Sequence, residues 1–249
     1  MSIMYSAMAR HYDALTTDVP YEGFVDFFEK VFERHHLKPN LILDLACGTG
    51  TITKLMAERG YDMIGADYSV EMLMQAQAKC TDMWNRPTFI RQSMTGLDLY
   101  GTVDAVVSCL DSINYLAKPA DLAEAFRRVS LFLNPGGLFI FDLNSEYKLE
   151  HLGGNSFVRE ADGVFCVWQA AWDPKNRMAK YYIDLFEEDE DGSYFRSMEE
   201  HRERAYSVDE IETALEGVGM ELVKTYGELK FRAPTSEEQR IFFVARKRG

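Results

Sequence analysis

The sequence predicts an α/β protein built on an open, doubly wound, mostly parallel sheet with a small antiparallel β insertion. Three observations predict it. Residues 41–45 form an apolar run broken only by Asp44, and small residues at alternate positions, Ala46, Gly48 and Gly50, separate it from a helical pattern over 51–59. A buried strand, a tight turn and a helix follow from that order. Short apolar runs then alternate with amphipathic stretches as far as residue 142, the pattern of parallel strands joined by crossover helices. From 157 to 204, strand-like runs succeed one another with only turn signals between them.

Composition bounds the function classes. With 249 residues, 47% of them hydrophobic, the chain fills one large domain, or a core domain with an insertion. The net charge of -13 argues against a broad phosphate-binding face, so nucleic acid is not the default partner. The clusters Arg127-Arg128, Arg202 with Arg204, and Arg246-Lys247-Arg248 are short and read as solvated faces. Cys47, Cys80, Cys109 and Cys166 are widely separated, so neither a metal site nor a disulfide framework is expected. Reduced cytoplasm fits this cysteine usage. No stretch approaches the roughly 18 apolar residues of a membrane span, and no membrane association is expected.

Before the first strand, residues 21–36 place Phe24, Phe27, Phe28, Val31 and Phe32 on one helical face, with Asp18 as the expected N-cap and Pro20 near the first turn. The second strand, 62–66, ends at Asp67, 17 positions after Gly50. A carboxylate about 20 positions after a glycine turn suits ribose hydroxyls. Ser69 caps a helix over 70–79, with Tyr68 and Met72 at its start. A third strand, 88–92, leads to Ser93-Met94, and a fourth, 103–109, leads to the stretch from Cys109 and Leu110 through Asp111, Asn114 and Tyr115. Ligands bind outside the carboxyl ends of strands in such sheets, so that stretch should face the chemistry. Asp111 either serves a substrate or caps a helix near 112–116. A helix over 121–132 stops at Asn134-Pro135-Gly136-Gly137, and the fifth strand is 138–142.

The runs 157–161, 164–172, 178–186 and 194–204 read as an antiparallel meander. Its aromatics, Trp168, Trp172, Tyr181, Tyr182 and Tyr194, suit a substrate lid, with a homodimer interface as the competing use. Glu199, His201 and Glu203 share one side of the last run, and Glu200, Arg202 and Arg204 share the other. An imidazole pKa suits His201 to take a proton near neutrality, whereas pairing with a neighbouring acid is the structural alternative. Ser207 and Glu210 form a capping box for a helix over 208–216, followed by strands 221–226 and 239–246.

The glycine spacing separates nucleotide classes. A dinucleotide site uses Gly-x-Gly-x-x-Gly, whereas here the small residues stand two apart and Asp44 stands two before the first. This pattern resembles motif I of the class I S-adenosylmethionine-dependent methyltransferases, with Ala46 in place of the first glycine. Asp67 and the turn Leu133-x-Pro135-Gly136-Gly137 follow in that family's order. Tyr5 and the pair Tyr12-Asp13 resemble the N-terminal segment of small bacterial members that carry a "YD" element and an inserted antiparallel sheet. The resemblance implies a seven-stranded Rossmann-like methyltransferase sheet completed by the terminal hairpin. It divides the chain into a core of 1–145 and 205–249 and an inserted substrate subdomain of 146–204.

The same resemblance implies S-adenosylmethionine as cofactor. Its methionine end would lie on Asp44, Ala46, Gly48 and Gly50, its ribose on Asp67, and its adenine beside Tyr68, Met72, Ser93 and Met94. Tyr5, Tyr12, Cys109 and Leu110 would complete that site, and Ser93 stands where the family often carries Asp. The acceptor motif N/D-P-P-Y/F of enzymes acting on planar nitrogens is absent at 111–114. The expected reaction is methyl transfer to a nitrogen or oxygen of a small molecule, with Asp111 or His201 as base where the acceptor must lose a proton. Asn114, Tyr115, Trp168 and Arg204 are the expected substrate contacts. Methylation of RNA or protein, non-catalytic binding of the cofactor, and NAD-dependent oxidoreduction are the alternatives; the last should lack the terminal hairpin.

Overall fold

A computed structural model describes residues 8–249. Its main sheet has seven strands in the order β10-β11-β5-β4-β1-β2-β3. These are β1 (Leu41–Leu45), β2 (Asp62–Asp67), β3 (Thr88–Arg91), β4 (Val103–Ser108), β5 (Leu133–Asn144), β10 (Met220–Gly227) and β11 (Arg240–Lys247). The pairings from β3 across to β5 are parallel, and β11 runs antiparallel to both β5 and β10. The order reverses between β1 and β4, so their carboxyl ends diverge and leave a crevice there.

Strand alternation sends neighbouring residues to opposite layers. Leu43, Leu45, Phe139, Phe141 and Phe243 pack under α5 (Pro119–Phe132) and α7 (Val208–Glu216). Ile42, Ile140, Phe242 and Val244 pack on the other side, under α2 (Tyr21–Arg34) and α3 (Thr51–Glu58). All five apolar residues of the α2 face are buried, and Phe27 lies 4.7 Å from Phe242 and 4.9 Å from Phe231 between ring centroids. The helix therefore docks on the core layer beneath the terminal hairpin. Asp18 does not cap it: Pro20 holds the N-cap position, and Asp18 instead pairs with Arg159 at 2.7 Å.

The remaining strands, β6 (Ser156–Ala161), β7 (Val164–Asp173), β8 (Met178–Glu188) and β9 (Tyr194–Arg204), form a separate antiparallel sheet in sequential order. Its inner residues Cys166, Ala170, Tyr181, Ile183 and Leu185 share a core with Leu15 of α1 (Tyr12–Leu15) and Leu149 of α6 (Glu146–Leu152). The sheet is thus seated on the main fold by two short helices that periodicity does not show. The turn Pro135-Gly136-Gly137 lies inside β5, where the pairing with β4 shifts register. A Cβ at Gly137 would stand 2.7 Å from the Asp104 carbonyl oxygen, which explains the glycine. Among the described residues no helix is long and apolar enough to cross a membrane, and no His, Cys, Asp and Glu cluster could hold a metal ion.

Candidate functional site

A cavity of about 310 Å³ opens at the carboxyl ends of β1, β2 and β4. One wall is the turn between β1 and α3. Ala46, Gly48 and Gly50 are all left-handed there, with φ of 62°, 54° and 73°. The two glycines serve different ends. A Cβ on Gly48 would meet no atom within 4 Å, so at this lining residue the cavity faces bare backbone. A Cβ on Gly50 would stand 2.8 Å from the Ala76 Cβ and 3.2 Å from the Phe89 ring. Gly50 itself does not line the cavity; it lets the turn pack against α4 (Val70–Lys79) and β3.

Two carboxylates lie behind this turn. Asp44 is buried, and its Oδ2 accepts a hydrogen bond from Thr53 Oγ1 at 2.5 Å. Burial pushes its pKa up to about 7, helped by the charge of Asp67 and opposed by the Thr53 bond. Asp67 accepts from the Gly48 amide at 2.9 Å and from the Ser69 amide at 2.8 Å. Burial raises its pKa too, while those amides favour the charged form. Tyr68, Met72, Ser93 and Met94 line the next stretch of wall. The Ser93 hydroxyl accepts from the Gly96 amide at 3.1 Å, an internal cap of the 3-10 turn Met94–Gly96.

Tyr12, Tyr21, Cys109, Leu110 and Tyr115 line the remainder. Burial raises the phenol pKa of Tyr12. Asp13 fastens this N-terminal segment to the turn: its carboxylate accepts from Thr49 Oγ1 at 2.6 Å and pairs with Lys79 at 2.6 Å. Tyr5 lies outside the described residues. Thr49, Thr51, Gln92 and Thr95 also line the cavity and escaped sequence reasoning. Their signal was simple adjacency to the turns that carry Gly48 and Ser93.

The other expected residues are not in the cavity's lining. Asp111 does not cap the 3-10 turn Ser112–Tyr115. Its Oδ1 accepts from Arg240 Nη2 at 2.8 Å, and Arg240 also binds the fully buried Asp142. That carboxylate is engaged in a bridge to β11, which argues against a role as base. Asn114 is buried and structural: it donates to the Asn144 and Arg204 carbonyl oxygens at 3.1 and 2.9 Å and accepts from the Asn144 amide at 2.9 Å. Arg204 pairs with Glu210 at 2.8 Å and lies over the Tyr206 ring, on the side of β9 that faces α7. Trp168 packs against Tyr181 at 5.3 Å between ring centroids, inside the inserted sheet. His201 is buried between Glu199, 2.9 Å from Nε2, and the Tyr115 hydroxyl, 2.9 Å from Nδ1. Of these residues only Tyr115 lines the cavity.

The donor set suits a nucleoside that carries positive charge. The carboxylates of half-buried Asp67 and buried Asp44 favour a cation nearby, Gly48 leaves backbone accessible, and the rest of the lining is largely apolar and aromatic, as small-molecule sites are.

Comparison with known proteins agrees with this chemistry. A family model described as a methyltransferase domain matches residues 42–137. The chain is 32% identical over 250 residues to the protein YqeM of Bacillus subtilis, covering 98% of each. An S-adenosylmethionine-dependent methyltransferase from Clostridium acetobutylicum superposes with a TM-score of 0.88 at 32% identity, over 99% of this chain and 100% of the other. The sugar N-methyltransferase KedS8 from Streptoalloteichus shares the fold, with a TM-score of 0.79 at 21% identity over 100% of this chain and 94% of the other. With similarity of that order running through both sheets from end to end, the chain belongs to the S-adenosylmethionine-dependent methyltransferases, and S-adenosylmethionine is its cofactor.

Proposed function

We propose that the chain methylates a nitrogen or oxygen atom of a small-molecule acceptor, which enters the cavity at its Tyr12, Leu110 and Tyr115 end. The observation that carries this reading is the cavity itself: mostly apolar, and with Tyr12, Tyr21 and Tyr115 in its lining. A polynucleotide would need a basic track, and the chain carries a net charge of -13. That KedS8, which shares the fold, is a sugar N-methyltransferase supports the same class of acceptor.

The cofactor supplies a methyl group activated by a sulfonium. The chain's residues then bind the cofactor and align the acceptor. Asp67 accepts the ribose hydroxyls, and the open backbone at Gly48 takes the amino-acid end. Tyr68, Met72, Ser93 and Met94 bracket the adenine. Asp44 favours positive charge from behind the turn. Tyr12, Leu110 and Tyr115 hold the acceptor atom in line with the methyl group and exclude water, the main requirement of a displacement that needs little covalent help.

The test begins with calorimetric titration of S-adenosylhomocysteine, with NAD as control. Labelled S-adenosylmethionine is then offered with small amines, amino sugars and hydroxyl compounds beside total RNA and protein. Label is expected in small molecules alone. Label in RNA or protein, with none in small molecules, would overturn the reading.

A further inference from the structure

Half-buried Tyr115 and buried His201 and Glu199 form a row that joins the cavity to the interior of the inserted sheet. Tyr115 lines the cavity, and its hydroxyl lies 2.9 Å from His201 Nδ1. His201 Nε2 lies 2.9 Å from Glu199 Oε2, and Glu199 Oε1 accepts from the Met8 amide at 3.2 Å. Side-chain exposure of His201 and Glu199 is 2% each, so neither reaches a bound acceptor directly. The carboxylate takes an N–H from Nε2, which leaves the Nδ1 lone pair facing the Tyr115 hydroxyl.

We infer that Tyr115 takes the acceptor's proton during methyl transfer while passing its own to His201, with His201 and Glu199 as positioning residues behind it. The inference rests on the small-molecule reading above. The methyl carbon bonds to the acceptor nitrogen or oxygen as its bond to sulfur breaks, the electron pair going to sulfur. The acceptor proton moves to Tyr115 Oη as the Tyr115 proton moves to His201 Nδ1. One positive charge is lost at sulfur and one appears on the imidazole, where Glu199 balances it. The arrangement follows the logic of a nucleophile, a base and an orienting acid, with the tyrosine, which lines the cavity, in the place next to the substrate.

Two readouts on the full chain test it. Nitrogen-15 NMR of histidine in the S-adenosylhomocysteine complex is expected to show His201 protonated at Nε2 and bare at Nδ1, with that preference lost in Glu199→Gln. A wild-type His201 protonated at Nδ1 could not receive the tyrosine proton, and that result overturns the inference.

The second readout compares acceptors. Tyr115→Phe and His201→Gln are expected to lower kcat at least tenfold more for a hydroxyl or primary amine acceptor than for a tertiary amine, which has no proton to give up. An equal loss with the tertiary amine means that the residues only shape the pocket, and it overturns the relay. If wild type methylates no small molecule in the panel, the proposed function falls, and the histidine tautomer alone decides the relay.

Discussion

Asp67 Oδ2 accepts the Gly48 amide at 2.9 Å, so the last residue of β2 fixes the turn that follows β1. The carboxylate shapes the turn, and we propose that it also receives the ribose hydroxyls, so Asp67→Ala should remove both. Affinity for S-adenosylhomocysteine is expected to fall more than tenfold, about 1.4 kcal/mol, by calorimetry. Unchanged affinity would refute the ribose assignment.

The two glycines of the same turn should fail differently. Gly50→Ala combines a left-handed backbone, about 1–2 kcal/mol for an L side chain, with a Cβ 2.8 Å from the Ala76 Cβ. A total loss of about 3 kcal/mol is expected, each kcal/mol lowering Tm by roughly 2–4 °C at this chain length. Gly48→Ala meets no atom, so it carries the backbone cost alone and should fold nearly as well while binding S-adenosylhomocysteine more weakly. Thermal melts paired with calorimetry separate the two. Equal stability losses would show that the turn has no such division.

Where the sequence carried a strong local pattern, it located elements to the residue. The helices at 70–79 and 208–216 are examples, each with a serine cap that the structure shows accepting an amide of the first turn. The cavity wall was legible for the same reason, since Ala46, Gly48, Asp67 and Ser93 sit where strands end. Helix α6 was not, because it buries one residue, Leu149, and so shows no periodicity. Side-chain pairs across long separations were also invisible. Asp111 meets Arg240 over 129 positions, and Tyr115 meets His201 over 86. Alternation along β9 put Glu199, His201 and Glu203 on one side, as found, but could not say that this side is buried behind Tyr115 rather than open to substrate.

Asp44 makes stability depend on pH in a definite sense. Its ordinary pKa is 3.8 and burial raises it to about 7, so the folded chain holds a proton that the unfolded chain releases. Stability from this group is fully present below pH 3.8 and is lost as pH rises to about 7. Asp44→Asn keeps an oxygen for the Thr53 hydroxyl and cannot ionise. Relative to wild type, its unfolding free energy should therefore gain about 4 kcal/mol between pH 4 and 8. Urea unfolding at several pH values measures this, and a pH-independent difference would mean that Asp44 ionises normally in the fold.

Arg240 holds together the junction on which the Tyr115 turn depends. Its guanidinium lies between Asp111, which has left-handed backbone at φ 58°, and Asp142, which is fully buried. Removing one partner of a buried pair leaves the other charge uncompensated, at about 3–5 kcal/mol, so Arg240→Ala should be strongly destabilising near neutrality. Burial already raises the Asp142 pKa, and Arg240 is the group that pulls it back down. Without the guanidinium that pKa rises further, and stability is lost as pH climbs through it. The deficit of Arg240→Ala should accordingly be smaller at pH 4, where more of the buried Asp142 carboxyl is protonated, than at pH 8. Adding Asp142→Asn should recover part of it, because the amide needs no counter-charge. Urea unfolding of wild type, both single variants and the double variant at the two pH values gives the coupling directly. A deficit independent of pH would mean that Arg240 acts by packing alone.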